Sequence, residues 1–352
     1  MNVEHYTADV PVPPDFDQFW ATSLRRPGPV LLSVEPVPNR LRLISTFDVS
    51  FAGFGGHPIR AWYSRPSFVE DVVLPAVVEF PGYGRGRGFP HERLTWVSAG
   101  YAHLLMDVRG AGGRYGNGGD TPDPGAVPDA PWPVTWGIGS PDTYYYRRVI
   151  TDAVRAVLAV RALPGVDPAR VAAVGNSQGG GLALAVAGLV PDLAALLVTA
   201  PFLCDIHHCL STVDTSPYAE ISSYLAVRRD LTPAAYDTLS YMDGVTFARQ
   251  AVAPACFGTG LRDNVCPPAG TYAAFNAYGG PRTDKEIHSY PFNGHEGGDT
   301  FHVAHQLEWL TARMPPEPAG AAPDLPGPRR GWPRPGAPGP PGATVQPQVN
   351  NT

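Results

Sequence analysis

Cysteine is scarce in this chain: four thiols, Cys204, Cys209, Cys256 and Cys266, serve 352 residues. The opening stretch MNVEHYTADVPVPPDFDQFW lacks a basic segment followed by an apolar run, so no signal peptide is expected. The thiols are then expected to be reduced rather than bridged, with a cytoplasmic location as the default. Excess positive charge is missing too. Asp and Glu number 32 against 26 Lys and Arg, a formal net charge of −6, and no basic stripe offers itself to a phosphate backbone. No apolar run approaches the roughly 18 residues of a spanning helix. Neither a nucleic-acid nor a membrane partner is expected. No internal repeat is visible. The glycine-rich run Pro81-Gly-Tyr-Gly-Arg-Gly-Arg-Gly88 fits neither the G-x-x-x-x-G-K-[ST] phosphate loop nor a dinucleotide fingerprint with its downstream acid. Cys204, His207, His208 and Cys209 are ligand-capable types, but no second cluster of comparable spacing accompanies them; buried thiols beside surface histidines are the simpler reading. Neither a cofactor nor a metal is expected.

What is present is core material. Hydrophobic residues make up 43% of the chain, enough for a large α/β domain. Composition changes at Met314. Residues 315–352 are dominated by Pro, Gly and Ala and cannot bury enough surface to offset their ordering entropy, so a disordered tail is expected after a domain spanning 1–314. Its Pro323-x-x-Pro326 and Pro335-x-x-Pro338 pairs fit an aromatic groove, though a solvated appendage is the plainer reading.

Within 1–314, strand-like runs fall at 43–51, 59–64, 76–80, 103–108, 171–175, 194–199, 255–259 and 287–292. The first two lie close together without a helix and should pair antiparallel. The later ones alternate with helical patterns, which indicates a mostly parallel sheet covered on both faces. The longest helix is expected at 142–163, where Val149, Ile150, Ala153, Val154, Val157 and Val160 share a face, and a last helix at 300–314. Two segments exceed a minimal fold. Residues 110–142 form a Gly/Pro-rich excursion, of a length that is usually functional or an interface. Residues 203–250 insert helical material, resembling a cap.

The chemistry centres on Val171-Ala-Ala-Val-Gly175-Asn-Ser177-Gln-Gly179-Gly, an apolar strand running into G-x-S-x-G and then a helix. That context makes a nucleophile elbow, which exposes Ser177 above the sheet and leaves the Gln178 N–H at a helix N-terminus. With a parallel sheet and antiparallel leading strands, it describes an α/β-hydrolase fold. A serine nucleophile needs an acid, a base and an oxyanion hole, in the chain order Ser, Asp/Glu, His. Asp263 follows the strand at 255–259, in a loop where α/β sites are built. His295 follows the strand at 287–292; the other nine histidines are worse placed. Glu296 beside it is assigned no catalytic step. The oxyanion hole should draw on the Gln178 N–H and on the loop Pro81–Gly88, whose glycines would let a ligand approach the backbone.

Several motifs go further. PPDFDQFW at 13–20, TYYYRRVITDAVRAV at 143–157, GNSQGG at 175–180, TLSYMDGVTFA at 238–248, DNVCPP at 263–268 and NGHEGG at 293–298 resemble the acetyl xylan esterase / cephalosporin C deacetylase family, carbohydrate esterase family seven. The likeness covers about residues 10–314. It implies Ser177 as nucleophile, Asp263 as acid and His295 as base, with oxyanion donors on the backbones of Tyr83 and Gln178. It implies a tight acyl pocket with Tyr83 and Pro217 among its walls, Pro217 from its place in Ser216-Pro-Tyr-Ala-Glu220. It also implies deacetylation of small acetylated sugars and cephalosporin C without a cofactor, and a hexameric homo-oligomer to which the excursion after Arg109 would contribute contacts. The chain departs from the family's Arg-Gly-Gln at Arg109-Gly110-Ala111 and from its His-Gly-Tyr at Pro81-Gly82-Tyr83, losing an amide at one and an imidazole and a backbone donor at the other. Rival readings are a general carboxylesterase, a peptidase or lactonase of the same fold, and a non-catalytic hydrolase-fold binding protein.

Overall fold

The apolar runs pair into one nine-stranded sheet in the computed structural model, which describes residues 3–25, 28–69, 72–127, 130–279 and 284–316. The strands are β1 (Leu31–Val37), β2 (Ile44–Ala52), β3 (Pro58–Pro66), β4 (Leu74–Phe80), β5 (Ala102–Met106), β6 (Val166–Asn176), β7 (Ala195–Thr199), β8 (Ala255–Gly260) and β9 (Lys285–Tyr290). They lie side by side in the order β1-β2-β3-β5-β4-β6-β7-β8-β9. The first three are antiparallel, as is the β3–β5 pair, and every pairing from β5 through β9 is parallel. This is the expected α/β-hydrolase sheet.

The differences are at the edges. β1 has no apolar run to announce it: Ser33, Glu35 and Pro36 interrupt the pattern, and proline is tolerated there because the strand is an outer one. β9 starts at Lys285 rather than 287 because its polar residues still pair with β8. Phe292, expected inside it, lies beyond its end and is 81% exposed.

The helices are α1 (Phe16–Leu24), α2 (Thr95–Ser98), α3 (Tyr145–Arg161), α4 (Gln178–Leu189), α5 (Ile206–Thr212), α6 (Tyr218–Val227), α7 (Thr232–Ser240), α8 (Gly244–Gln250), α9 (Pro268–Ala277) and α10 (Asp299–Arg313). On one face of the sheet Val77, Ala172, Val174, Leu197 and Cys256 pack with Trp96 of α2 and Trp309 and Leu310 of α10. On the other, Phe257 meets Phe275 of α9 edge-on at 5.4 Å and Tyr278 at 5.5 Å. With both faces covered, β4 and β7 can be apolar almost throughout. α8 lies on α4, where a side-chain carbon on Gly188 would meet the Phe247 backbone at 2.6 Å. Within the stretch expected to insert over the site, α8 is therefore part of the body, and α5, α6 and α7 precede it. Among the described residues no helix is long and apolar enough to cross a membrane.

The tyrosine run at the start of α3 ties distant segments together. Tyr144, Tyr145 and Tyr146 are buried, so each hydroxyl needs a partner. They donate to Val134 O at 3.0 Å, Arg109 O at 2.7 Å and Gln178 Oε1 at 2.8 Å. Next to them Arg109, fully buried, is paired with Asp152 at 2.5 Å and Asp123 at 3.3 Å, and Arg148 with Asp123 at 2.7 Å. These charges anchor the Gly/Pro-rich excursion to α3. Removing one member of such a group would strand a buried charge at a cost of about 3–5 kcal/mol.

By internal contacts the chain divides into two units, Met1–Glu317 and Pro318–Thr352. The expected Pro-rich tail with its two Pro-x-x-Pro pairs lies, from residue 317 on, outside the described residues.

Candidate active site

β6 turns into α4 through Ser177, whose φ of 58° is a region that residues with a side chain rarely enter. The turn is tight enough to dictate its glycines. A side-chain carbon on Gly179 would sit 1.9 Å from the carbonyl oxygen of Phe80, and one on Gly175 would sit 2.1 Å from the Gly179 backbone. Only hydrogen fits at either position, so the spacing G-x-S-x-G is a packing requirement of two loops pressed together. As first residue of α4, Gln178 has an N–H with no carbonyl partner within the helix.

The structure brings Ser177, Asp263 and His295 together from three loops at the C-terminal ends of β6, β8 and β9. His295 Nε2 is 2.8 Å from Ser177 Oγ, and its Nδ1 is 2.8 Å from Asp263 Oδ2. The Asp263 side chain is fully buried. Its other oxygen accepts the N–H groups of Val265 at 2.8 Å and Cys266 at 2.9 Å, which holds the carboxylate in one orientation. Glu296 accepts from Asn293 Nδ2 at 2.9 Å and Gly294 N at 3.1 Å, bracing the turn that carries His295. Cys266 is close by, but burial first, then Asp263 and Cys209, push its thiol well above its ordinary range. It stays protonated and is no rival nucleophile.

A cavity of about 420 Å³ opens over Ser177, lined by Gly82, Tyr83, Tyr115, Ser216, Pro217, Val265 and His295 among others. Both expected wall residues, Tyr83 and Pro217, face it. The Tyr83 loop is held against the elbow through Gln178, whose Nε2 donates to Pro81 O at 3.4 Å. Geometrically, the site can deprotonate a hydroxyl at Ser177.

Gly82 lines the cavity, whereas Gly84, Gly86 and Gly88 differ from expectation and meet protein. Gly86 admits another stretch of backbone rather than a ligand: a side-chain carbon there would lie 2.3 Å from Gly118 and Gly119. Gly88 N donates to Gly118 O at 2.9 Å, and Tyr115 N to Gly84 O at 3.0 Å. Asp107 accepts from Arg87 N at 2.9 Å and Asp120 N at 2.8 Å, and Arg87 pairs with Asp48 at 2.8 Å and Asp120 at 2.9 Å. The excursion is thus a brace for the Tyr83 loop. At the Ala111 departure the chain closes a turn with Ala111 N donating to Val108 O at 3.2 Å.

Sequence reasoning left Glu220 without a role. This residue of α6 is 3% exposed. Its Oε2 accepts the Tyr83 hydroxyl at 2.7 Å, and its Oε1 accepts from Ser216 Oγ at 3.0 Å and pairs with Arg114. One carboxylate thus joins the Tyr83 loop, the excursion and the segment bearing Pro217. Burial, with Glu220 adding to it, pushes the Tyr83 hydroxyl far above the ordinary tyrosine range, so it remains a donor. No spacing signal could have revealed this, since Tyr83, Arg114 and Glu220 are joined only through space.

Cys204, His207, His208 and Cys209 do not converge. The His207 ring packs on Tyr236, His208 faces Tyr6, and Cys209 Sγ donates to Cys204 O at 3.6 Å.

A family model described as acetyl xylan esterase matches residues 1–313. The chain is 29% identical over 308 residues to acetyl esterase Axe7A of Xylanibacter ruminicola, covering 86% of this chain and 67% of that protein. Acetyl xylan esterase from Paenibacillus sp. R4 has a similar solved structure, with a TM-score of 0.81 and 35% identity over 89% of this chain and 98% of that one. Acetyl xylan esterase 1 from Thermoanaerobacterium sp. JW/SL YS485 follows with a TM-score of 0.77 and 30% identity over 87% of this chain and 97% of that one. The family match runs through the elbow serine and the loops of Asp263 and His295, and the two solved relatives match 89% and 87% of this chain: this chain belongs to the acetyl xylan esterase family and is a carboxylic ester hydrolase.

Proposed function

We propose that this protein removes acetyl groups from small O-acetylated carbohydrates, acetylated xylo-oligosaccharides foremost, and from cephalosporin C, through an acyl-serine. The observation that carries the reading is the continuous chain from Ser177 Oγ to His295 to Asp263, 2.8 Å at each step. His295 Nε2 takes the hydroxyl proton as Ser177 Oγ attacks the acetyl carbonyl carbon. Asp263 holds the imidazole with Nδ1 protonated and stabilises the imidazolium. The N–H groups of Tyr83 and Gln178 receive the negative charge that develops on the carbonyl oxygen. Collapse breaks the bond to the sugar oxygen, which leaves with the proton from His295. Water, deprotonated by His295, then attacks the acyl-serine and acetate departs.

The cavity lining mixes apolar walls at Tyr83, Pro217 and Val265 with the polar side chains of Asn176, Ser216 and Glu296, which suits a small acyl group beside a sugar. Assembly as a hexamer is proposed from the resemblance.

The test is purified protein assayed against p-nitrophenyl acetate, acetylated xylose, cephalosporin C and a peptide ester, with Ser177→Ala alongside. Turnover of the acetyl substrates, lost in a folded Ser177→Ala, is expected, with a serine-reactive organophosphate adding one group per chain at Ser177. A folded Ser177→Ala that keeps most of its activity defeats the mechanism. Turnover of acetylated xylose without cephalosporin C removes only the second substrate.

A further inference from the structure

A second cluster of reactive side chains lies away from Ser177, where β8, β9 and α10 meet. Parallel pairing sets Cys256 of β8 directly beside Glu286 of β9. Cys256 Sγ lies 3.9 Å from Glu286 Oε1. His288, two residues along β9 and so on the same face, brings Nε2 to 3.2 Å from that oxygen. His305 of α10 brings its Nε2 to 2.7 Å. The His288 and His305 ring centroids are 3.8 Å apart, with the rings tilted 47° to one another. A thiol and two imidazoles thus gather around one carboxylate oxygen. The ligand atoms of Cys256, Glu286 and His305 all lie within 4.8 Å of one another. The thiol is buried, whereas the side chains of Glu286, His288 and His305 are 37%, 39% and 32% exposed, leaving a path from solvent.

We propose that Cys256, Glu286 and His305, with His288 as fourth ligand, form a binding site for a divalent ion of the zinc class. Zinc bonds of about 2.0–2.3 Å in a tetrahedron place neighbouring ligand atoms roughly 3.3–3.6 Å apart. The Cys256–Glu286 and His288–Glu286 separations bracket that spacing. The His305–Glu286 pair must open by about half an ångström, which the broad terminal torsion of a glutamate allows. Thiolate and imidazole together favour zinc over magnesium or calcium, which seek oxygen. On binding, Cys256 gives its proton to solvent as the metal–sulfur bond forms. None of these ligands lines the cavity at Ser177. The ion would serve as a clamp on the two strands that lead to the Asp263 and His295 loops, and hydrolysis would not pass through it.

The test uses full-length protein freed of metal with chelator, then titrated with Zn²⁺ by calorimetry and with Co²⁺ by absorption. One Zn²⁺ per chain is expected, with a micromolar or tighter Kd and a melting temperature that rises with metal concentration. Co²⁺ should give a thiolate charge-transfer band. Cys256→Ala should abolish that band, and His305→Gln, at a partly exposed position, should weaken Zn²⁺ binding at least tenfold while melting like the metal-free parent. Esterase rate should change less than twofold with Zn²⁺. Absence of stoichiometric binding overturns the proposal, as does binding that survives both substitutions or a Co²⁺ spectrum without the thiolate band. Either result would leave a hydrogen-bonded carboxylate between two imidazoles.

Discussion

Glu220→Gln perturbs the one carboxylate that joins three segments of the site, with almost no change in volume. Three charge-assisted bonds are at stake, from Tyr83, Ser216 and Arg114. The Arg114 side chain is 48% exposed, so water replaces most of what it loses. The Tyr83–Glu220 bond, at 2.7 Å and largely buried, is the one that matters. A hydrogen bond to a charged partner is worth about 1.5–3 kcal/mol. That bond fixes the loop whose backbone N–H at Tyr83 is proposed to meet the oxyanion, so its loss should be felt most in the transition state. At about 1.4 kcal/mol per factor of ten, kcat/KM for p-nitrophenyl acetate should fall roughly 10- to 100-fold, mainly through kcat. Tyr83→Phe keeps the backbone donor and removes only the hydroxyl, so it should show a similar loss. Because both changes act on the same bond, one by removing its charge assistance and the other its donor, the double variant should be little worse than the worse single one, with a coupling of at least about 1 kcal/mol in the cycle. Steady-state kinetics of the four proteins, with melting curves to verify folding, decides the matter. Both single variants within twofold of the parent, or strictly additive losses, would refute the positioning role of Glu220.

Gly179→Ala should cost stability and nearly all activity, because the added methyl meets the Phe80 carbonyl at 1.9 Å and backbone cannot yield cheaply. Thermal and urea melts should register a loss of at least about 1–3 kcal/mol, and a variant of parental stability would contradict the packing of the two loops. Glu79 predicts an acid-dependent stability. Burial pushes its carboxyl up, but His103 and Arg93 outweigh this and hold it down at about 2, against an ordinary 4.5. Its contribution is therefore complete above about pH 4.5 and is lost as pH falls toward 2, so Glu79→Gln should flatten the parent's acid slope in urea melts across that window. Acyl preference should fall steeply from acetyl to octanoyl p-nitrophenyl esters, since each methylene without room costs about 1–3 kcal/mol. Equal turnover of the two would favour a general carboxylesterase.

Features with local signals could be read from the residues alone. The elbow was legible because Gly175 and Gly179 sit at fixed offsets from Ser177, and the clashes behind that spacing lie within one turn and the strand beside it. The parallel sheet was legible because strands covered on both faces become apolar runs, as β4 and β7 do. Asp263 and His295 could be placed because each immediately follows a strand. Features that arise from folding have no fixed spacing. β1 carries a polar, proline-containing edge pattern that resembles a loop. The glycines at 84–88 were legible as close-approach residues, but whether a ligand or another backbone approaches depends on where the excursion folds back. Glu220 reaches Tyr83 across 137 residues. Cys256 meets Glu286 and His305 only because β8 and β9 pair in one register and α10 crosses them. Strand pairing and helix docking bring together residues that no local pattern links, because the energy that selects those contacts is burial summed over the whole core.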